Sequence, residues 1–248
     1  AREELNTALV LQPSNGEAKS LLEAVQRAWV QNGQRDHPPA TVKPLELHGA
    51  NMADVKLATV FIVNPTAKVE GSGVLISPNG FILTAAHVVK GAKSVEVSIF
   101  PLDGPPEHYR NVAVFASREK NNQDLALLLI SGYSVKEVAL PIAAKPAPDK
   151  PIPALSAGCV KGRPEVRNAS ILRSVEVTTK GEPIPARYWM IEQPPRKGES
   201  GGPLVNMQGQ LLGICSRESG DEGYYCHLDE IHRFLEASGL EKMLPNHR

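Results

Sequence analysis

Cysteine is scarce in this chain. Three, Cys159, Cys215 and Cys226, stand in 248 residues, and an odd, small number builds no disulfide framework. The protein must be held by its core, which argues against a disulfide-rich secreted molecule and fits a bacterial or intracellular setting better. Each thiol reads first as a small buried hydrophobe. Net charge is missing too: 27 Lys plus Arg balance 27 Asp plus Glu, so neither nucleic acid nor a membrane surface is implied as a partner. No apolar run approaches the roughly 20 residues that span a bilayer. The opening "AREELNTALVLQPSN" lacks the basic start, apolar middle and small-residue cleavage site of a signal peptide. Bacterial cytoplasm and periplasm both stay open as compartments. No cofactor and no metal is expected.

What is present is apolar material, 42% of the residues, enough for a sizeable core. It falls into three zones. Residues 1–32 predict a helical hairpin: Leu5, Ala8 and Leu9 repeat at helical spacing, "QPSNG" breaks the run, and Leu21, Leu22, Val25 and Trp29 resume it. Asn15 or Ser14 caps the second helix, with Glu17 in its first turn. Ala1, Leu5, Ala8 and Pro13 match half of a tetratricopeptide repeat; a plain helical hairpin explains them equally well. Residues 33–53 carry three prolines and little periodicity and predict a linker.

Residues 54–248 form the third zone, in which short Val, Ile and Leu runs alternate with turn residues. "ATVFIV", "SGVLIS", "GFILTA", "KSVEVSIF", "NVAVFA", "LALLLI", "ASILRSVEV", "RYWMIE", "GPLVN" and "LLGIC" read as strands. "SPNG" is a hairpin signal. Many short, closely spaced strands predict an all-β barrel or sandwich. One helix closes the zone, with Ile231, Phe234 and Leu235 on one face of "LDEIHRFLEASGLEKML" and Asp229 near its start.

One stretch spends backbone entropy freely: "RKGESGGPLVN" sets three glycines around Ser200. A serine hydroxyl is a poor nucleophile until a base takes its proton. His87, in "GSGVLISPNGFILTAAHVV", follows a strand and sits among small residues. Asp124, in "NNQDLALLLI", stands at the mouth of an apolar strand, where a half-buried carboxylate suits the task of orienting an imidazole. A core histidine, a strand-capping aspartate and a glycine-rich hairpin would account for the three pieces separately. Their order and β context favour a shared site.

These segments, together with "GYYCHLDEIHRFL", resemble the trypsin-like (chymotrypsin-fold) serine proteases, and the bacterial HtrA-type branch more than the digestive enzymes. The resemblance runs from about Val55 to Leu240. It implies a double β-barrel with His87 and Asp124 on the first barrel and Ser200 on the second. It also implies endopeptidase activity through an acyl-enzyme, with the N–H groups of Gly198 and Ser200 as oxyanion donors. Protein or peptide is the implied substrate, with the N-terminal helices as a possible docking point for a protein partner. The alternatives are a catalytically silent relative that binds peptides in the cleft, and an interaction module for which the barrels are scaffold.

The match departs from the family at several positions. Glu199 precedes the serine where the family has Asp or Asn. In zymogen-type members that Asp pairs with a freshly cut N-terminal amine, and here Arg196, Arg163 or Arg167 offers an alternative partner. Pro194 stands where trypsin has its pocket-floor Asp, so a Lys or Arg preference is not implied. Ser216, Arg217 and Glu218 fall on one wall of the substrate pocket and residues 223–226 on the other; Glu218 either narrows the pocket or points to solvent. Cys215 and Cys226 fall on paired strands, facing each other as free thiols or as a bridge.

Overall fold

The structure is a computed structural model that describes residues 52–119, 122–133, 138–146, 151–178, 182 and 184–243. The helical hairpin expected over 1–32 and almost all of the expected linker lie outside them. The linker's last two positions belong instead to a short helix, α1 (Met52–Ala58). Val55 and Ala58, three residues apart, bury one face of it, and Asp54 stands in its first turn.

Among the described residues twelve strands follow, in two closed barrels. The first is built from β1 (Thr59–Asn64), β2 (Val69–Leu75), β3 (Phe81–Thr84), β4 (Ser94–Ile99), β5 (Glu107–Arg118) and β6 (Leu125–Leu129), in the spatial order β1-β2-β3-β6-β5-β4. The second is built from β7 (Ile152–Val160), β8 (Arg163–Val177), β9 (Ala186–Ile191), β10 (Pro203–Val205), β11 (Leu211–Ser219) and β12 (Glu222–His227), in the order β10-β11-β12-β9-β8-β7. The expected β-barrel architecture is therefore present, twice. Closure leaves no sheet edge to protect.

Alternation explains the strands. Val95, Val97 and Ile99 of β4 turn inward between more exposed neighbours. The predicted hairpin at "SPNG" joins β2 to β3, where Gly80 takes a φ of 83° and its N–H reaches Ser77 O at 3.2 Å. The segment between the barrels is hydrogen-bonded to both. Leu140 N donates to Leu75 O at 2.9 Å, and Leu211 N donates to Pro141 O at 2.8 Å.

Strand β7 was not among the expected runs. Its sequence, "IPALSAGCV", is poor in the bulky β-branched residues that signal a strand. The closing helix, α2 (Leu228–Ala237), is shorter than its apolar pattern. Gly239 turns at φ 73° and Leu240 N returns to Leu235 O at 2.9 Å, which ends the helix as a Schellman motif does.

Cys159, Cys215 and Cys226 are all buried free thiols. The facing of Cys215 and Cys226 is corrected by the strand register. Cys215 pairs with Tyr225, and Cys226 with Ile214. An offset of one residue turns their side chains to opposite sides of the sheet.

Candidate active site

His87 stands in a 3₁₀ turn, Ala86–Val89, directly after β3. Asp124 immediately precedes β6, the neighbour of β3 in the barrel. That pairing brings the two together. His87 Nδ1 lies 2.7 Å from Asp124 Oδ2, and the backbone N–H of His87 donates to Asp124 Oδ1 at 3.0 Å. Both carboxylate oxygens are thus aimed at one residue. Ser216 adds a third contact, its hydroxyl donating to Asp124 Oδ2 at 2.6 Å.

Burial works to raise the Asp124 pKa. The His87 ring, the Ser216 hydroxyl and the His87 N–H outweigh it and hold the carboxyl below its ordinary value. An ionised carboxylate only accepts, so the proton of neutral His87 belongs on Nδ1. Nε2 is then left with a free lone pair.

Ser200 lies in the turn before β10, on the second barrel, and its backbone carbonyl accepts from Ser72 N of β2 at 2.7 Å. Its hydroxyl makes no hydrogen bond among the described residues, so the structure does not directly join it to His87. It does bring them to one place. A Cβ added at Gly71 would meet Val88 Cγ2 at 2.7 Å and Ser200 O at 3.0 Å. The residue after His87 and the backbone of Ser200 therefore flank the same glycine. From the other side, Gly201 N donates to Cys215 O at 2.8 Å, next to the Ser216 that holds Asp124.

The glycines around Ser200 have separate reasons. Glu199 N donates to Arg196 O at 3.0 Å while Gly198 holds a φ of 96°, the pattern of a type II turn with its third residue left-handed. A Cβ on Gly198 would also lie 2.3 Å from Cys159 O. Gly201 and Gly202 permit close approach. A Cβ on the first would lie 2.1 Å from Ser72 O, and on the second 2.0 Å from Ala157 O.

Glu199 is fully buried. Arg167 Nη2 meets its Oε2 at 3.1 Å, and Arg196 supplies Nη2 to Oε1 at 2.7 Å and its backbone N–H to Oε2 at 2.8 Å. Two of the three arginines named from the sequence therefore hold it. Arg196 reaches on to Glu165 at 2.7 Å, and Arg167 to Pro194 O at 3.1 Å.

The three residues named for the pocket wall separate. Ser216 is buried and committed to Asp124. Arg217 is exposed and lies over the Tyr188 ring, 4.9 Å from its centroid. Glu218 is exposed. The contact of Ser216 with Asp124 was missed in the sequence; the available signal was a hydroxyl directly following the buried run "LLGIC". Among the described residues no cluster of His, Cys, Asp and Glu could hold a metal ion, and no helix is long and apolar enough to cross a membrane.

A family profile described as a trypsin-like peptidase domain matches residues 71–214, and the chain belongs to that family. Its fold and family are those of a trypsin-like peptidase domain. The Do-like serine protease HtrB of Bacillus subtilis (strain 168) is 27% identical over 168 residues, which cover 61% of this chain and 33% of that protein. A probable periplasmic serine endoprotease, DegP-like, of Pseudomonas savastanoi pv. phaseolicola is 28% identical over 188 residues, 74% of this chain and 34% of that one. The solved inactive form of the Rv3671c protease of M. tuberculosis superposes with a TM-score of 0.63 at 25% identity, covering 82% of this chain and all of that one. The chain spans about a third of the length of the curated relatives it matches.

Proposed function

We propose that this domain hydrolyses peptide bonds as a serine endopeptidase, with His87, Asp124 and Ser200 as its triad. The observation that carries the reading is the double hold of Asp124 on His87, through Nδ1 at 2.7 Å and the backbone N–H at 3.0 Å. It fixes the tautomer whose Nε2 can accept a proton. Ser200 attacks the substrate carbonyl as Nε2 takes its hydroxyl proton, and the charged imidazole is stabilised by Asp124. The N–H groups of Gly198 and Ser200 receive the developing oxyanion. His87 then protonates the leaving amine, and water hydrolyses the acyl-enzyme by the same route in reverse.

The substrate is a protein or peptide laid in the cleft between the barrels. In this reading the segment over residues 1–32, with its half-repeat of tetratricopeptide character, docks selected protein substrates for limited cleavage. A fluorophosphonate probe tests the chemistry: it should label the wild type and not Ser200→Ala, and peptide hydrolysis should fall by several orders of magnitude in that variant. Labelling that survives Ser200→Ala refutes the reading. Docking is tested by comparing the full chain with a form beginning near Asn51. Equal cutting of a short peptide, with a protein substrate cut only by the longer form, supports it; equal rates on both substrates oppose it.

A further inference from the structure

The loop that carries Asp124 belongs to the first barrel, yet three consecutive residues of it are held by the second barrel and the closing helix. Asn122 is left-handed, at φ 58°. Its carbonyl accepts from the Tyr188 hydroxyl at 2.6 Å, and its side-chain Nδ2 donates to Ile184 O at 2.9 Å. Gln123 Nε2 donates to Glu230 Oε2 of α2 at 2.5 Å. Asp124 accepts from Ser216.

Glu230 is the unusual member. It is a fully buried carboxylate on a helix face otherwise made of Leu228, Ile231, Phe234 and Leu235. A buried charge is costly unless every lone pair is occupied. Its other oxygen, Oε1, accepts from the Arg187 N–H at 3.0 Å and pairs with Arg233. Oε2 is thereby left to Gln123. The amide orientation is consistent, since Gln123 Oε1 faces Arg118 Nη1 at 3.5 Å. The side chain directly before Asp124 is thus anchored to a carboxylate that is itself held by two further partners, the Arg187 N–H and Arg233.

We propose that Glu230 is a positioning residue that sets the placement of Asp124 through Gln123, coupling the seat of α2 to the orientation of His87. The proposal rests on the triad reading above. Gln123→Met tests it, because Met fills a similar volume without leaving a donor and keeps the Arg187 and Arg233 contacts of Glu230. The expected result is a 10- to 100-fold loss of kcat with KM changed less than about twofold. The proton NMR signal of the His87 Nδ1–H bridging to Asp124 should also broaden or move upfield. Glu230→Met, which offers Gln123 no oxygen acceptor, should give the same pattern if it folds, and the double variant should be no worse than the more impaired single one. An unchanged kcat and an unchanged bridging signal in Gln123→Met overturn the proposal. The spectrum needs no turnover: an inactive wild type refutes the triad reading, whereas an active wild type with an indifferent Gln123→Met refutes the positioning role alone.

Discussion

If His87, Asp124 and Ser200 act as the proposed triad, Asp124→Asn is its most informative single test. Every partner of the carboxylate in the structure is a donor: the His87 N–H at 3.0 Å, His87 Nδ1 at 2.7 Å and the Ser216 hydroxyl at 2.6 Å. An asparagine has one acceptor oxygen and one donor NH₂. If the oxygen faces Nδ1 and Ser216, the NH₂ confronts the backbone N–H of His87 and a hydrogen bond is lost, at about 1–3 kcal/mol in a buried site. If the amide turns round, nothing is lost. The oxygen takes the backbone N–H, the Ser216 hydroxyl rotates to accept, and Nδ1 becomes an acceptor. The proton of His87 then sits on Nε2, where it cannot take the proton of Ser200. The productive orientation is therefore a minor one, by roughly 5- to 150-fold. The lost carboxylate charge, which stabilises the imidazolium, must supply the rest of a fall in kcat of order 10⁴, or about 5.5 kcal/mol in total. The assay is steady-state hydrolysis of a peptide, read beside a thermal melt that should move little. A loss below tenfold would refute the argument, because it would mean that another acid orients His87 or that none is needed.

Three further outcomes are expected. Arg167→Ala removes one guanidinium from the fully buried Glu199 while Arg196 stays, so stability should fall by no more than about 3 kcal/mol, the lower end for a broken buried pair; a chemical melt within error of wild type would contradict the pairing. The Asp124 pKa is lowered in the folded state, so its stabilising contribution is present above the ordinary carboxylate value of about 3.9 and is lost as pH falls through the lower folded value; melts near about pH 6 and about pH 3 should show Asp124→Asn losing less stability on acidification than the wild type. Burial pushes the thiol pKa of Cys159 up to about 12 and those of Cys215 and Cys226 higher still, so iodoacetamide should modify none of them in the native protein, and a melt that drops many degrees with reductant would reveal a bridge.

The residues of the proposed triad were legible because each lies inside a short signature whose neighbours share its local geometry. "TAAH" places His87 at the end of β3, "DLALLL" places Asp124 at the mouth of β6, and "GESGGPL" places Ser200 before β10. What escaped notice was set by partners far along the chain. Strand β7 looked unlike a strand because its small residues answer to the serine loop and not to β propensity. A Cβ on Gly158 would meet Glu199 Cα at 2.7 Å, and Ala157 O lies 2.0 Å from where a Cβ on Gly202 would be. The tie between Ser216 and Asp124 crosses 92 residues of sequence and that between Gln123 and Glu230 crosses 107, beyond any local pattern. Glu230 did leave a trace: it sits four residues before Phe234, on the apolar face of the helix.

A loop so rich in glycine has little stiffness of its own, so its shape must be imposed from outside. Three separate parts of the fold impose it. Strand β2 contributes Ser72, whose N–H takes the Ser200 carbonyl at 2.7 Å and whose hydroxyl bonds the Gly198 carbonyl at 2.6 Å. Strand β7 contributes Cys159, whose N–H donates to that same Ser72 hydroxyl at 2.6 Å. Strand β8 contributes Arg167, which shares Glu199 with Arg196. A free amine produced by cutting the chain would meet a Glu199 carboxylate whose two oxygens already accept from two guanidiniums and a backbone N–H. Entry there would require displacing groups fixed within the same fold. On the proposed reading, the turn that would present Gly198 and Ser200 to a substrate is therefore shaped by contacts made within the fold itself, from β2, β7 and β8.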